Sequence, residues 1–204
     1  MDLAMHETQL DQLAAYIDEL ELFNPVYKLV GSQNEQLVIR HILDSLSAVK
    51  DIRTICETMN NCSIADLGSG AGLPGIPLAI AIEECEFSLV ERMGRRVDFL
   101  RNALVRTKLN ERVTIIDCDL KEVKQTFDII TFRAFRPLVE VLDTVSSLLN
   151  EGGVVCAYKA GIEQVEAELN EVALHCKSKW RSEHVKLNVP FLDAQRSLCL
   201  LKKI

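Results

Sequence analysis

The sequence lacks any apolar run that approaches the ~20 residues required for a membrane-spanning helix. Its first twelve residues include Asp2, Glu7 and Asp11 and do not show the basic-then-apolar pattern of a signal peptide. We therefore expect a cytoplasmic protein without a membrane partner. The chain has 204 residues, of which 48% are hydrophobic and 26% are charged. This length can bury a core, and this composition is typical of a globular protein.

Paired cysteine motifs are also missing. The chain contains seven cysteines, an odd number, and the two closest in sequence, Cys56 and Cys62, are six positions apart. Without a Cys-x-x-Cys pair or a sign of export, the pattern favours neither a disulfide framework nor zinc. Cys156 and Cys199 lie in apolar strand-like runs and are interpreted as small buried side chains. The sequence therefore predicts no metal site.

Basic residues are unevenly distributed in this acidic chain, whose net charge is −7. Residues 61–91 contain five acidic and no basic residues, whereas residues 92–112 contain seven basic and two acidic ones. Residues 174–204 show the same basic excess. Because a phosphate backbone responds to local potential, the two basic segments are compatible with an RNA partner. Solvated helix faces would show the same pattern.

The hydrophobic pattern divides the chain into two regions. Over residues 1–60, apolar side chains recur every three or four positions, which predicts helices. We expect interruptions at Asn24-Pro25 and Gly31-Ser32 and a second helix from about Asn34. From Ser63, short apolar runs alternate with amphipathic ones. The predicted strands are 64–67, 87–91, 113–117, 127–132, 154–159, 184–189 and 197–202, and the predicted helices are 75–83, 95–107, 137–149 and 162–175.

This alternation favours an α/β fold with a parallel sheet that is covered on both faces. The last two predicted strands have no helix between them, so a C-terminal hairpin should leave one antiparallel strand. Methyltransferases usually end in this way, whereas dinucleotide dehydrogenases do not. We therefore predict a Rossmann-like class I methyltransferase sheet in residues 61–204, with an N-terminal helical extension, residues 1–60, packed on it.

The first predicted strand leads into a loop with four glycines in residues 68–75. Glycines admit positive φ and let a ligand approach the backbone, and amides at the start of the next helix can point at it. Leu73 stands where the nicotinamide fingerprint Gly-x-Gly-x-x-Gly has its third glycine. S-adenosylmethionine has no pyrophosphate, and Asp66 can meet its ammonium group. We expect this cofactor; a dinucleotide or a turn without a ligand are the alternatives.

The carboxyl ends of the other parallel strands supply further candidates, because ligands of open α/β sheets bind there. Glu91 ends the second strand, 23 residues after Gly68, where a carboxylate can accept hydrogen bonds from ribose hydroxyls. Leu120 follows the third strand and can pack on the adenine. Arg133 and Phe135 follow the fourth strand, where we expect the reacting centre.

Together these residues resemble the RsmG (GidB) family of small-subunit ribosomal RNA methyltransferases, which make N7-methylguanosine in 16S rRNA. The matching segments are 40–46, 66–77, 94–100, 133–135, 158–159 and 189–196. The runs Gly-Leu-Pro-Gly-Ile-Pro and Arg-His-Ile-Leu-Asp-Ser are the most specific. The resemblance implies S-adenosylmethionine as cofactor and 16S rRNA, within or near the assembling small ribosomal subunit, as substrate. We expect a monomer.

By position, the resemblance implies cofactor contacts at several residues. They are Gly68, Leu73, Glu91, Leu120, Lys121 and Arg133, to which the loop adds Asp66 and Gly70. Guanine N7 has a lone pair and no proton, so the reaction needs positioning rather than a base. Arg133, Lys159 and Phe135 are the positioning candidates. His41 lies outside the predicted strand ends and is interpreted as structural.

The candidate RNA contacts come from the two basic segments and from the presumed active face. They are Arg92, Arg95, Arg96, Arg136, Lys159 and Arg196. An unpaired guanine that can stack, for example on Phe135, is the expected target. Two other functions are compatible with the sequence: methylation of a small molecule or a protein, and a non-catalytic cofactor-binding assembly factor.

Overall fold

The computed structural model describes residues 3–59 and 61–204. Its centre is a seven-stranded sheet of order β3-β2-β1-β4-β5-β7-β6. The strands are β1 Ser63–Leu67, β2 Glu86–Glu91, β3 Val113–Asp117, β4 Phe127–Arg133, β5 Leu149–Lys159, β6 Trp180–Leu187 and β7 Arg196–Lys203. β1 to β5 are parallel, and β7 runs antiparallel to both β5 and β6. The predicted mostly parallel sheet with one antiparallel strand is confirmed.

The helices cover both faces of the sheet. They are α1 Glu7–Tyr27, α2 Asn34–Leu37, α3 Asp44–Leu46, α4 Val49–Cys56, α5 Gly75–Ala81, α6 Gly94–Arg106, α7 Leu138–Val145 and α8 Ile162–His175. A π-helical turn, Val38–Leu43, joins α2 to α3, and a 3₁₀ turn, Leu120–Glu122, follows β3. Side chains alternate across each strand: Ile64 packs with α4, α5 and α6, whereas Ala65 packs with α7 and α8.

Several predicted boundaries are wrong, and one of them is the start of β6, predicted at residue 184 and found at Trp180. The break expected at Asn24-Pro25 comes slightly later, because α1 continues through Pro25 to Tyr27 and ends at the left-handed Lys28 (φ 52°). The helix predicted over 137–149 ends at Val145, and β5 starts at Leu149 rather than at residue 154. Gly152 (φ 77°) lets the strand pass through an irregular pairing with β4 without ending.

The N-terminal helices contact the loops of the sheet directly. Gln9 Nε2 donates to the carbonyl of Ile80 (2.9 Å), and the buried Tyr16 hydroxyl donates to the carbonyl of Ala71 (2.5 Å) in the glycine-rich loop. α1 therefore braces that loop from behind. Among the described residues, no helix has the length and apolarity to cross a membrane.

Candidate active site

The glycine-rich loop between β1 and α5 is a series of left-handed residues. Gly68, Gly70 and Gly72 have φ of 67°, 59° and 83°, a region that only glycine adopts readily. The amides of Gly68 and Ser69 both donate to the carbonyl of Val90 in β2 (2.9 and 3.1 Å). The loop is therefore fixed to the carboxyl end of the neighbouring strand, and its glycines place no side chain between the backbone and the cleft.

Asp66 supports this loop from inside the protein. Its side chain is fully buried, and its Oδ2 accepts a hydrogen bond from the amide of Gly75 (3.0 Å). A Cβ on Gly75 would stand 2.7 Å from that oxygen, so the position requires glycine. The other oxygen, Oδ1, is buried without a hydrogen-bond partner among the described residues. Burial raises the pKa of Asp66 to about 7.

Glu91 connects the end of β2 to the same loop. Its buried carboxylate accepts hydrogen bonds from the amides of Gly70, Arg92 and Met93, each at 2.9 Å. Arg96 Nη1 lies 3.6 Å away. Glu91 borders a cavity of about 220 Å³, which is also lined by Gly68, Arg92, Met93, Arg96, Cys118, Asp119, Leu120, Ala134, Phe135 and Arg136. The cavity thus has an acidic wall on β2 and an apolar side chain, Leu120, after β3.

A larger cavity of about 1340 Å³ lies next to the first, over β1, β4 and β5. On its wall, the buried carboxylate of Asp44 joins two arginines. Arg133 Nη1 donates to Oδ2 (2.6 Å), and Arg196 Nε donates to Oδ1 (3.0 Å). The π-helical turn before α3 carries Asp44 to this position, and such turns are frequent at functional sites. The result is a fixed cationic wall.

His41, in the π-helical turn, is held in one tautomer. A guanidinium can only donate, so Nδ1 accepts from Arg133 Nη2 (3.2 Å) and Nε2–H donates to Ser32 Oγ (2.7 Å). Burial, followed by the charge of Arg133, lowers the pKa of His41 to about 4. His41 is therefore neutral near pH 7, with both ring nitrogens in hydrogen bonds.

Phe135 stands between the two cavities and lines both of them. Its ring covers Gly68 so closely that a Cβ there would lie 2.2 Å from Phe135 Cδ2. The Arg136 guanidinium lies 5.4 Å from the ring centroid, and Ala134 has a positive φ of 48°. The segment after β4 therefore bends back over the glycine loop and divides one cleft into two parts.

Lys159, at the end of β5, is tied to a carboxylate. Its Nζ lies 2.9 and 2.7 Å from the two oxygens of Glu168 in α8, and one of these oxygens also accepts from the amide of Leu138. Only 14% of the Lys159 side chain is exposed. Lys159 thus faces the larger cavity as a positioned ammonium group.

Comparison with known proteins identifies the relationship. The family described as GidB, rRNA small subunit methyltransferase G, matches residues 9–199. The chain belongs to this family. A relative named "Ribosomal RNA small subunit methyltransferase G" from Treponema pallidum is 40% identical over 195 residues, 91% of this chain and 82% of the relative. A relative of the same name from Francisella tularensis subsp. novicida is 30% identical over 204 residues, which are 100% of this chain and 92% of the relative.

Solved methyltransferases share the fold of this GidB-family protein. The tRNA (m1A58) methyltransferase TrmI from Aquifex aeolicus superposes with a TM-score of 0.62 at 17% identity, covering 87% of this chain and 74% of that one. TYW2 from M. jannaschii, in complex with AdoMet, superposes with a TM-score of 0.55 at 18% identity and covers 78% of this chain and 77% of that one. At this level of identity the likeness shows the fold alone, and the predicted fold class is confirmed.

Most of the predicted site residues of this GidB-family protein line the two cavities. They are Gly68, Gly70, Leu73, Glu91, Leu120, Arg133, Phe135, Lys159, Arg92, Arg96, Arg136 and Arg196. Three predicted residues line neither. Asp66 is buried behind the loop, Lys121 is exposed beyond Leu120, and Arg95 is exposed on α6. Their contacts with a ligand stay predictions.

Two residues of the cavity were missed as site candidates. The sequence suggests a structural role for His41, which its two hydrogen bonds agree with, and none for Asp44; both side chains contact Arg133 on the cavity wall. The helical extension folds over the carboxyl ends of the strands, which no local pattern reveals. The available signal is the segment 40–46, in which Arg40, His41 and Asp44 recur at helical spacing and on which the family resemblance partly rests.

Proposed function

We propose that this protein transfers the methyl group of S-adenosylmethionine to N7 of a guanine in 16S ribosomal RNA. The observation that carries the proposal is the divided cleft at the carboxyl ends of β1, β2 and β4, with the glycine loop on its floor. Family membership favours RNA as the substrate, and the relatives are named for the small ribosomal subunit. The choice of guanine N7 rests on the resemblance and on the chemistry of the wall residues.

The cleft has the groups that an adenosyl cofactor requires. The acidic wall at Glu91 and the apolar Leu120 suit a ribose and an adenine in the smaller cavity. The backbone of Gly68 and Gly70, which carries no side chain, lies beside Leu73 and suits the amino-acid part in the larger one. When bound, S-adenosylmethionine supplies an electrophilic methyl group on a sulfonium. Our assignment puts the cofactor across both cavities, so it requires the Phe135 ring to leave Gly68.

Asp66 fits the same cofactor in a different way from the one expected. Its unpartnered Oδ1 is a buried acceptor directly behind the loop, and its pKa of about 7 is poised between the two forms. A cationic ammonium group near the loop would stabilise the carboxylate form. We therefore propose that Asp66 supports the loop and provides a negative charge behind it. We propose that Lys121 contributes through its backbone, which follows Leu120 in the 3₁₀ turn.

The groups of the larger cavity that could accept a proton are committed to partners, which suits an acceptor atom without a proton. His41 uses both nitrogens, and its low pKa makes it a poor base near pH 7. Asp44 is held by two arginines, and Glu168 by Lys159. Such a wall can orient a base and exclude water but does not offer a proton acceptor. Guanine N7, whose lone pair attacks directly, needs no more than this.

The charge of the larger cavity suits an RNA substrate. Six basic side chains and two carboxylates line it; the basic ones are Arg40, Arg96, Arg133, Arg136, Lys159 and Arg196. Because N7 in an A-form helix faces a groove closed to side chains, the target guanine has to be unpaired. We assign Phe135 to stacking and the cations to phosphates or guanine O6, since a cation at N7 would reduce its nucleophilicity.

The test is methylation of small subunits from a strain that lacks this modification. Purified protein and labelled S-adenosylmethionine should produce one 7-methylguanosine in 16S rRNA, detected by nucleoside mass spectrometry. Subunits from a modifying strain serve as the matched control and should accept no label. Intact cofactor binding without any 7-methylguanosine would refute the guanine-N7 assignment.

The same cleft could serve a methyltransferase for small molecules, or a non-catalytic assembly factor. Salt separates the first from RNA, because binding to RNA weakens steeply as salt rises whereas binding of a neutral small substrate does not. Turnover separates the second, because an assembly factor would bind the cofactor and the subunit without transferring a methyl group.

A further inference from the structure

Three cysteines meet inside the protein at the edge of the sheet opposite to the candidate active site. Cys56 is the last residue of α4, Cys62 precedes β1, and Cys85 precedes β2. All three are buried and free, and their Sγ atoms lie within 4.8 Å of one another. The fold therefore brings together three thiols whose spacing along the chain gave no metal motif.

We propose that this cluster binds one thiophilic d¹⁰ metal ion, Zn²⁺ or Cu⁺, through the three sulfur atoms. A metal–sulfur bond of about 2.3 Å sets the sulfur–sulfur separation in a trigonal or tetrahedral site near 3.8–4.0 Å. The Sγ atoms of Cys56 and Cys62 are 3.3 Å apart, and no pair exceeds 4.8 Å. Side-chain movements of less than about 1 Å would therefore complete the geometry.

The surroundings of the cluster favour a soft cation. The thioether sulfur of Met59 lies 3.9 Å from Cys62 Sγ and can provide a fourth soft donor. Thiolate and thioether donors select zinc and copper(I) over hard cations such as magnesium. The half-buried Met59 lies in the turn after α4, next to the exposed Glu57 and Thr58.

Charge compensation is also present. Arg112 lies just before β3, and its guanidinium donates to the carbonyls of Ala79, Ile82 and Cys85. It fixes the backbone that carries Cys85 and places a permanent cation beside the cluster. Each thiol would release its proton to solvent on binding, which leaves a net charge of −1 with Zn²⁺ and −2 with Cu⁺ for a neighbouring cation to offset.

Two other buried cysteines provide a contrast. Cys156 and Cys199 lie on adjacent strands, β5 and β7, but outside the group of sulfur atoms that could hold one ion. They behave as small apolar side chains of the sheet. Burial alone therefore does not distinguish the cluster; the convergence of three sulfur atoms with a thioether and a guanidinium does.

The test is a titration of reduced, metal-free protein without a histidine tag, under argon. Cd²⁺, a spectroscopic substitute for Zn²⁺, should produce a thiolate charge-transfer absorption that saturates at one equivalent. Competition by Zn²⁺ and, separately, by Cu⁺ then shows which ion binds more tightly. Cys85→Ala should weaken cadmium binding at least tenfold, whereas the matched variant Cys199→Ala should retain the full absorption.

A second measurement uses the wild-type chain and does not depend on the folding of a variant. One equivalent of Zn²⁺ or Cu⁺ should slow alkylation of Cys56, Cys62 and Cys85 at least tenfold, as read by peptide mass spectrometry. The half-buried Cys118 and Cys176 are internal controls and should react at unchanged rates. Absence of the absorption at one equivalent, together with unchanged alkylation of the three cysteines, would overturn the proposal.

Discussion

Replacing Asp44 by asparagine removes the negative charge that holds Arg133 and Arg196 together on the cavity wall. The Asp44 side chain is 4% exposed, and those of the two arginines are 14% and 25% exposed. Breaking a buried pair by removal of one partner costs about 3–5 kcal/mol. Because the guanidiniums keep part of their hydration and asparagine keeps one acceptor oxygen, we expect a loss of about 2–3 kcal/mol in the free energy of unfolding.

The assay is urea unfolding at neutral pH, followed by circular dichroism and by the fluorescence of Trp180, the single tryptophan. Asp193→Asn, at an exposed aspartate of the β6–β7 loop, is the matched control and should change stability by less than about 0.5 kcal/mol. A double-mutant cycle of Asp44→Asn with Arg196→Gln should give a coupling of about 1–2 kcal/mol. Equal small effects of Asp44→Asn and the control, with no coupling, would refute the buried-pair reasoning.

Three further predictions concern the cleft. Glu91→Gln should weaken the binding of S-adenosylhomocysteine about 10- to 100-fold in calorimetry, since a charged acceptor is lost. The control Glu86→Gln, at the exposed start of β2, should leave the affinity unchanged. Equal affinities of the two variants would contradict our ribose assignment. Burial raises the Asp66 pKa to about 7, so the folded apoprotein keeps a proton that the unfolded chain releases above pH ~4. The free energy of unfolding should therefore fall as the pH rises from about 4 to 7, and the Asp66→Asn variant should lack this part of the pH dependence. A variant with the wild-type pH slope would contradict this. Phe135→Ala should speed association of S-adenosylhomocysteine several-fold in stopped-flow, because no ring has to leave Gly68; an unchanged or slower rate would count against a divided cofactor cleft.

The strands were predictable because each parallel strand is a near-continuous apolar run with a charged or glycine-rich end. The start of β5 was not, because Gly152 and Gly153 suggest a turn, and only the pairing with β4 makes them part of a strand. Pro25 suggested a helix end, but α1 runs two residues further, to Tyr27, and ends at the left-handed Lys28. Patterns along the chain show the type of an element better than they show its limits.

The candidate site was predictable where it depends on the order of strands. Glu91 and Leu120 follow from the rule that ligands lie at the carboxyl ends of parallel strands. Asp44 and the cluster at Cys85 were not, because they depend on how distant segments pack against one another. Sequence separation hides such groups, and only the three-dimensional structure shows that a carboxylate or a thiol has partners.

The two ion pairs of Asp44 join parts of the cavity wall that lie far apart in the sequence. Its partners stand 89 and 152 positions further along the chain, and Arg196 begins the last strand. During synthesis, the glycine loop and its braces can therefore form while the cavity wall is still incomplete. The wall is complete only when the C-terminal hairpin is paired with β5, because Arg196 belongs to that hairpin.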